Sequence, residues 1–213
     1  MNNDLIAYYA ERAKEYEKIY EKPERQGDLL ALNGFLKTMF SGKDVFEIAC
    51  GTGYWTERIA KTANTIFATD VNQAVIDVAR GKSYERNNVC FDLADIYTYK
   101  GGPYKCLFGG FILSHIKLEE LDGFIERVHS FIEPGGYIMF VDNNYVEGSS
   151  GPIADTDGHG NTYQERVLEN GNKFSIVKNF LSQRELNRLV SGKANNTKFL
   201  HLKHYWVLTY NRK

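Results

Sequence analysis

The stretch from Val45 to Trp55 constrains the chain most. A short apolar run, Val45-Phe46-Glu47-Ile48-Ala49-Cys50, ends in Gly51-Thr52-Gly53 and passes directly into the helix-like Tyr54-Trp55-Thr56. This order predicts a buried strand, a tight turn and a helix start. Gly51 and Gly53 permit positive φ and leave no Cβ in the way of a ligand. The turn then falls at the carboxyl end of a strand, where open α/β sheets bind their ligands. Residue 56 is Thr, whereas a dinucleotide fingerprint needs a third small residue there. Glu47 would oppose a diphosphate and suits a ligand that carries positive charge.

The rest of the chain alternates strand and helix patterns. Strands are expected at 44–49, 65–70, near 89–91, at 104–111 and at 137–141, with helices at 54–63, after Asn72 and at 119–132. Asn72 is placed to cap the helix whose apolar face carries Val75, Ile76 and Ala79. Pro134-Gly135-Gly136 is expected to stop a helix and open the fifth strand. Before the first strand, residues 4–22 predict a helix with Tyr9, Tyr16 and Tyr20 near one face, and 24–40 a second helix. After the fifth strand the rhythm changes. Residues 143–161 read as a long polar loop, and Tyr163–Leu168 and Phe174–Phe180 flank Asn170-Gly171 as a hairpin. Ser182 and Glu185 form a capping box. Residues 198–210 alternate and predict one long closing strand, with Leu200, Leu202, Trp206, Leu208 and Tyr210 on one face. The expected fold is a Rossmann-like α/β three-layer sandwich of about seven strands, mostly parallel, with an antiparallel C-terminal strand.

At 213 residues the expectation is a single domain. Within it, 1–40 is a helical lid, 41–142 a cofactor-binding core, 143–181 a loop and hairpin elaboration, and 182–213 a closing helix and strand. A net charge of -1 gives no global field toward nucleic acid or an anionic membrane. Cys50, Cys90 and Cys106 lack any Cys-x-x-Cys spacing and read as small buried residues in a reducing, cytoplasmic setting. No apolar run is long enough for a span. Asp155-x-Asp157-Gly158-His159-Gly160 reads as a surface loop, because Arg166 stands where a calcium loop needs Glu. His201 and His204, three apart on an expected strand, face opposite ways. No metal site is expected.

Glu-Ile-Ala-Cys-Gly-Thr-Gly-Tyr-Trp-Thr resembles the first motif of the class I S-adenosylmethionine-dependent methyltransferases. Asp70, 17 residues after Gly53 and at the end of the second strand, fits the acid that accepts ribose hydroxyls. Ala94-Asp95-Ile96 resembles the family's adenine-contacting motif, and Phe111 matches a position beside the methionyl part. The resemblance covers about residues 45–142. It implies S-adenosylmethionine as cofactor, S-adenosylhomocysteine as product, and cofactor contacts from Tyr16, Glu47, Gly51, Gly53, Trp55, Asp70, Val71, Ala94, Asp95, Ile96 and Phe111. It also implies that the Tyr-rich N-terminal helix covers the site.

His115 follows the fourth strand and is the candidate catalytic group. An imidazole with a pKa near ~6.5 can accept a proton from an oxygen or nitrogen nucleophile. A packing or capping histidine is the alternative. The elaboration at 143–180 resembles that of small bacterial enzymes acting on small molecules. Tyr9, Tyr20, Asn143, Tyr145, Arg166 and Lys178 are the candidate acceptor-binding residues. Arg166 and Lys178 would hold an anionic acceptor, or else be solvated surface charges. The expected reaction is methyl transfer to an oxygen, less readily a nitrogen, of a small molecule, by a monomer or homodimer without nucleic-acid or membrane partners. Rival readings are a protein or RNA methyltransferase, a cofactor-binding protein without chemistry, and a nicotinamide oxidoreductase.

Overall fold

The computed structural model describes residues 3–213. Five parallel strands form most of one sheet: β1 (Asp44–Ile48), β2 (Thr65–Asp70), β3 (Val89–Leu93), β4 (Tyr104–Gly110) and β5 (Ile132–Asn143). β9 (Ala194–His201) and β10 (Tyr205–Arg212) complete it in the order β3-β2-β1-β4-β5-β10-β9. β10 is antiparallel to both neighbours, so among the described residues it alone runs against the other strands of this sheet. The order reverses between β1 and β4, and a crevice opens there at the strands' carboxyl ends.

Helices cover both faces. Helices α2 (Gln26–Phe40) and α3 (Tyr54–Ala60) pack Leu29, Leu32, Leu36, Phe40, Trp55 and Ile59 on one face, against Val45, Phe108, Met139 and Val207. Helices α5 (Leu121–Ser130) and α6 (Gln183–Val190) pack the other, against Phe46, Ile48, Phe140 and Leu208. Side chains alternate along a strand, so Glu47 shares the face of Val45. Helix α4 (Gln73–Arg80) is capped by Asn72, whose side chain accepts from the Ala74 amide at 3.0 Å. The Ser182–Glu185 capping box opens α6.

Four segments differ from the sequence expectation. The segment 198–210 is a hairpin, with Leu208 opposite Phe199 and Val207 opposite Leu200. Leu200 and Leu202 therefore pack with the α2 side, and Trp206, Leu208 and Tyr210 with the α5 side. The turn carries no Gly or Asn-Gly signal. It is held by Asp28, which accepts from the His204 amide at 2.7 Å and pairs with its ring at 3.0 Å. The segment 4–22 is helix α1 (Asn3–Arg12) followed by a tighter turn at Tyr16–Glu21, with the break between them. Pro134-Gly135-Gly136 lies inside β5, where the register with β4 shifts. The loop 143–161 contains β6 (Asp155–Thr156), which joins β7 (Thr162–Val167) and β8 (Lys173–Val177) in a second, antiparallel sheet. Cys90 is exposed on β3, whereas Cys50 and Cys106 are buried. Among the described residues no helix is long and apolar enough to cross a membrane.

Candidate active site

The turn after β1 forms one wall of the crevice. Ala49, Gly51 and Gly53 all take positive φ (51°, 56° and 77°). The Gly51 amide donates to Asp70 Oδ2 at 2.9 Å and the Asn72 amide to Oδ1 at 2.9 Å. These bonds fix the carboxylate at the end of β2 and tie the glycine turn to it. Burial raises the Asp70 pKa against the pull of the backbone amides. The two glycines do different work. A Cβ on Gly51 would meet open space, and Gly51 lines the cavity. A Cβ on Gly53 would come within 2.7 Å of the Tyr84 hydroxyl and 3.0 Å of Ala79. Gly53 therefore serves helix packing and is not among the cavity-lining residues.

Glu47 is 2% exposed, and its Oε2 has no hydrogen-bond partner. Burial, reinforced by the Asp70 charge, pushes its pKa up to about 8. The Thr56 hydroxyl draws that pKa down in part, but an oxygen left without a partner among the described residues, buried beside a cavity, calls for a cation or donor. The same cavity is walled by Val71, Ala94, Ile96, Ile112 and Phe124, apolar groups suited to a flat ring. Asp70 stands beside them with lone pairs free for ribose hydroxyls. A nucleoside carrying an ammonium group fits this donor set. Asp95 stands apart: its carboxylate accepts from the Tyr97 amide at 2.9 Å, and it does not line the cavity.

A second cavity adjoins the first. Tyr9, Tyr16, Tyr20, Phe111 and His115 line both and so form the partition between them. The tyrosines make an edge-on chain, with Tyr9–Tyr16 centroids 5.6 Å apart and Tyr16–Tyr20 6.0 Å. Tyr20 accepts from Trp55 Nε1 at 3.1 Å. Phe111 has φ +60°, and its amide donates to the Val141 carbonyl at 2.7 Å, which turns the chain away from β4. His115 Nδ1 lies 2.7 Å from the Val177 carbonyl, which only accepts, so this nitrogen carries the proton. Nε2 then accepts from the Tyr9 hydroxyl at 2.8 Å. Burial, followed by the Lys178 charge, holds the His115 pKa well below the ordinary imidazole range. Burial raises the Tyr9 pKa. His115 is thus a neutral acceptor whose lone pair is occupied.

The second cavity is cationic. Arg12, Lys18, Lys22, Arg25, Arg166 and Lys178 line it, and among the described residues no Asp or Glu does. Arg25 is 5% exposed and Lys178 7%. Arg25 Nε donates to Ser149 Oγ at 3.0 Å, and Lys22 Nζ to the Ser149 carbonyl at 2.7 Å. Lys178 Nζ donates to Ser114 Oγ at 2.7 Å and pairs with Asp142 at 3.4 Å. Neither Arg166 nor Lys178 is a solvated surface charge. Asn143 lines this cavity, but Tyr145 is exposed, packs edge-on to Phe180, and lies outside it. Arg12, Lys18, Lys22 and Arg25 are not among the acceptor-side residues expected from sequence, because isolated cations in a helical segment carry no spacing signal.

Crevice, glycine turn, buried Glu47 and the Asp70 carboxylate at the end of β2 form an α/β site whose chemistry fits a cationic nucleoside. A model of the methyltransferase domain family matches residues 45–136. Phosphoethanolamine N-methyltransferase 1 of Zea mays is 29% identical over 105 residues, 47% of this chain and 21% of that protein. Ubiquinone biosynthesis O-methyltransferase of Coxiella burnetii is 26% identical over 103 residues, 46% of this chain and 43% of that protein. The chain thus spans about a fifth to under half of the length of these curated relatives. The structure of a DhpI–SAH complex superposes with a TM-score of 0.80 at 26% identity, over 98% of this chain and 95% of that one. A DhpI–SAM–HEP complex gives 0.79 at 27%, over 97% and 95%. Residues 45–136 thus match a methyltransferase domain, and the whole fold is similar to that of proteins solved with S-adenosylhomocysteine and S-adenosylmethionine.

Proposed function

We propose that the protein transfers the methyl group of S-adenosylmethionine to an ionised acid oxygen of a small molecule. The observation that carries this reading is the cavity beyond the tyrosine partition, lined among the described residues by six cations and by no carboxylate. Such a wall attracts and orients an anion, and a guanidinium can grip an oxyacid with two parallel bonds. An ammonium acceptor would find no acid there to hold it.

The cofactor supplies a sulfonium-activated methyl group. The residues of the chain have three tasks. Glu47 and Asp70 would hold the ammonium and the ribose. The partition residues would align the acceptor with the methyl and exclude water. No proton needs to be removed from an acid that arrives ionised. The state of His115 supports this: its basicity is suppressed and its lone pair is taken by Tyr9. His115 is accordingly proposed as a positioning residue for Tyr9 and the hairpin rather than as a general base.

A screen with isotope-labelled cofactor tests the reading. Small carboxylic, phosphoric and phosphonic acids should gain label on oxygen, and amines without an acid group should not. Arg166→Met should raise the acceptor's KM about tenfold or more and leave cofactor affinity unchanged. Labelling of simple amines in preference to acids would overturn the proposal.

A further inference from the structure

Arg166 lies on β7, partly buried, and its guanidinium faces the cationic cavity. Five N–H donors must be satisfied or aimed. Nη2 donates to Gln164 Oε1, whereas Nε is buried and has no partner among the described residues. Gln164 lies two residues earlier on the same strand and so on the same face. It is 1% exposed and carries no charge. Its Nε2 donates to the Gly151 carbonyl. The amide is therefore fixed at both ends. Turned over, it would set donors against donors at Arg166 and oxygen against oxygen at Gly151.

Gly151 closes the other side. A Cβ there would lie 2.6 Å from Arg166 Nη1. The backbone of Gly151 is outside the left-handed region, so a side chain at 151 is not barred by φ but would have to push the guanidinium aside. Gln164 and Gly151 thus set where the head of Arg166 sits and which N–H remains free.

We infer that Gln164, backed by Gly151, is a positioning residue that aims Arg166 at the anionic group of the acceptor. Acceptor affinity is then governed in part by an uncharged side chain. This inference rests on the reading of the cavity as an anion site.

The test is a double-mutant cycle on protein saturated with S-adenosylhomocysteine, with inorganic phosphate as the probe and calorimetry as the readout. Wild type should bind phosphate. Gln164→Leu should weaken it about tenfold, and Arg166→Met at least as much. The double variant should bind no more weakly than Arg166→Met alone, because Gln164 acts through Arg166. A merely structural role for Gln164 predicts additive losses instead. S-adenosylhomocysteine affinity should be the same in all four proteins. Should Gln164→Leu fail to fold, Gly151→Ala displaces the same guanidinium from its other side and should show the same loss and the same non-additivity. Additive losses, or unchanged phosphate binding in both Gln164→Leu and Gly151→Ala, would overturn the inference and leave the anion site standing. Absence of phosphate binding by wild type would remove the anion site and the inference together.

Discussion

Tyr9 and His115, 106 positions apart, share a hydrogen bond of 2.8 Å in which the phenol donates and the imidazole accepts. The other ring nitrogen is bound to the Val177 carbonyl at 2.7 Å. One imidazole therefore joins the N-terminal helix, the turn after β4 and the hairpin of the second sheet, at the partition between the two cavities.

The first prediction follows from that bond. His115→Gln should lower turnover about 5- to 10-fold, the worth of one or two hydrogen bonds. A general base would cost roughly 10²–10⁴. The native imidazole titrates below the unfolded one. Below about pH 6.5 the unfolded chain then binds a proton that the native chain refuses, so stability falls as pH falls. Thermal melts from pH 7.5 to 5 should show a shallower decline for His115→Gln than for wild type. An equal slope would place the imidazole in an ordinary environment.

Cofactor binding should be proton-linked through Glu47. Its carboxyl is pushed up to about 8 before the ligand arrives. An ammonium beside it favours the ionised form and lowers that pKa, so binding at pH 7 should release a proton. Affinity should then rise as pH increases toward about 8, until the ligand's own amine, with a pKa near ~8, begins to lose its charge. Calorimetry in buffers of different ionisation enthalpy should detect the release in wild type. Its absence in Glu47→Gln is the diagnostic result.

Asp70 holds the glycine turn as well as lining the first cavity. Its oxygens accept from Gly51 and Asn72, each at 2.9 Å. Asp70→Ala should weaken S-adenosylmethionine binding by roughly 1.5–3 kcal/mol per lost bond to charge, before compensation by water. It should also lower the melting temperature of the free protein. Unchanged cofactor affinity would remove Asp70 from the ribose site.

Asp142 and Lys178 form a buried pair at 3.4 Å. Burial alone would raise the carboxyl's pKa, but Lys178 and the Ser114 amide outweigh it and hold Asp142 low. Its contribution is present above the ordinary Asp value near ~3.9 and is lost as pH falls through the lower native value. Asp142→Ala leaves the Lys178 charge without its counter-ion and should cost about 3–5 kcal/mol in urea titrations at neutral pH. A loss below about 1 kcal/mol would mean that Lys178 gives up its proton or reaches water.

The N-terminal segment should act as a lid. The Ile6 carbonyl accepts from Asn72 Nδ2 at 2.8 Å, and Glu17 accepts from the Thr52 hydroxyl at 2.7 Å. Glu11 accepts from Asn170 and Asn172 at the hairpin tip. Removing the residues through Glu15 should leave the seven-stranded sheet folded, speed cofactor release and abolish turnover. Stopped-flow release together with circular dichroism separates loss of the lid from loss of fold.

The sequence by itself settled the features whose signals lie in adjacent residues. The apolar run into Gly51-Thr52-Gly53, the acid ending β2, the Asn72 cap and the Ser182–Glu185 box each need only a few contiguous side chains and their own backbone. They were enough to indicate the sheet, its crevice and the cofactor. Tertiary structure decided the rest. The turn that splits β9 from β10 depends on Asp28, 176 positions from His204. The proton on His115 is assigned by Val177, and its basicity is set by burial and Lys178. The cationic cavity gathers Arg12, Lys22 and Arg25 from one end of the chain and Arg166 and Lys178 from a hairpin beyond β5. Charge at a site sums over space and not along the chain, so no spacing in the sequence announces it.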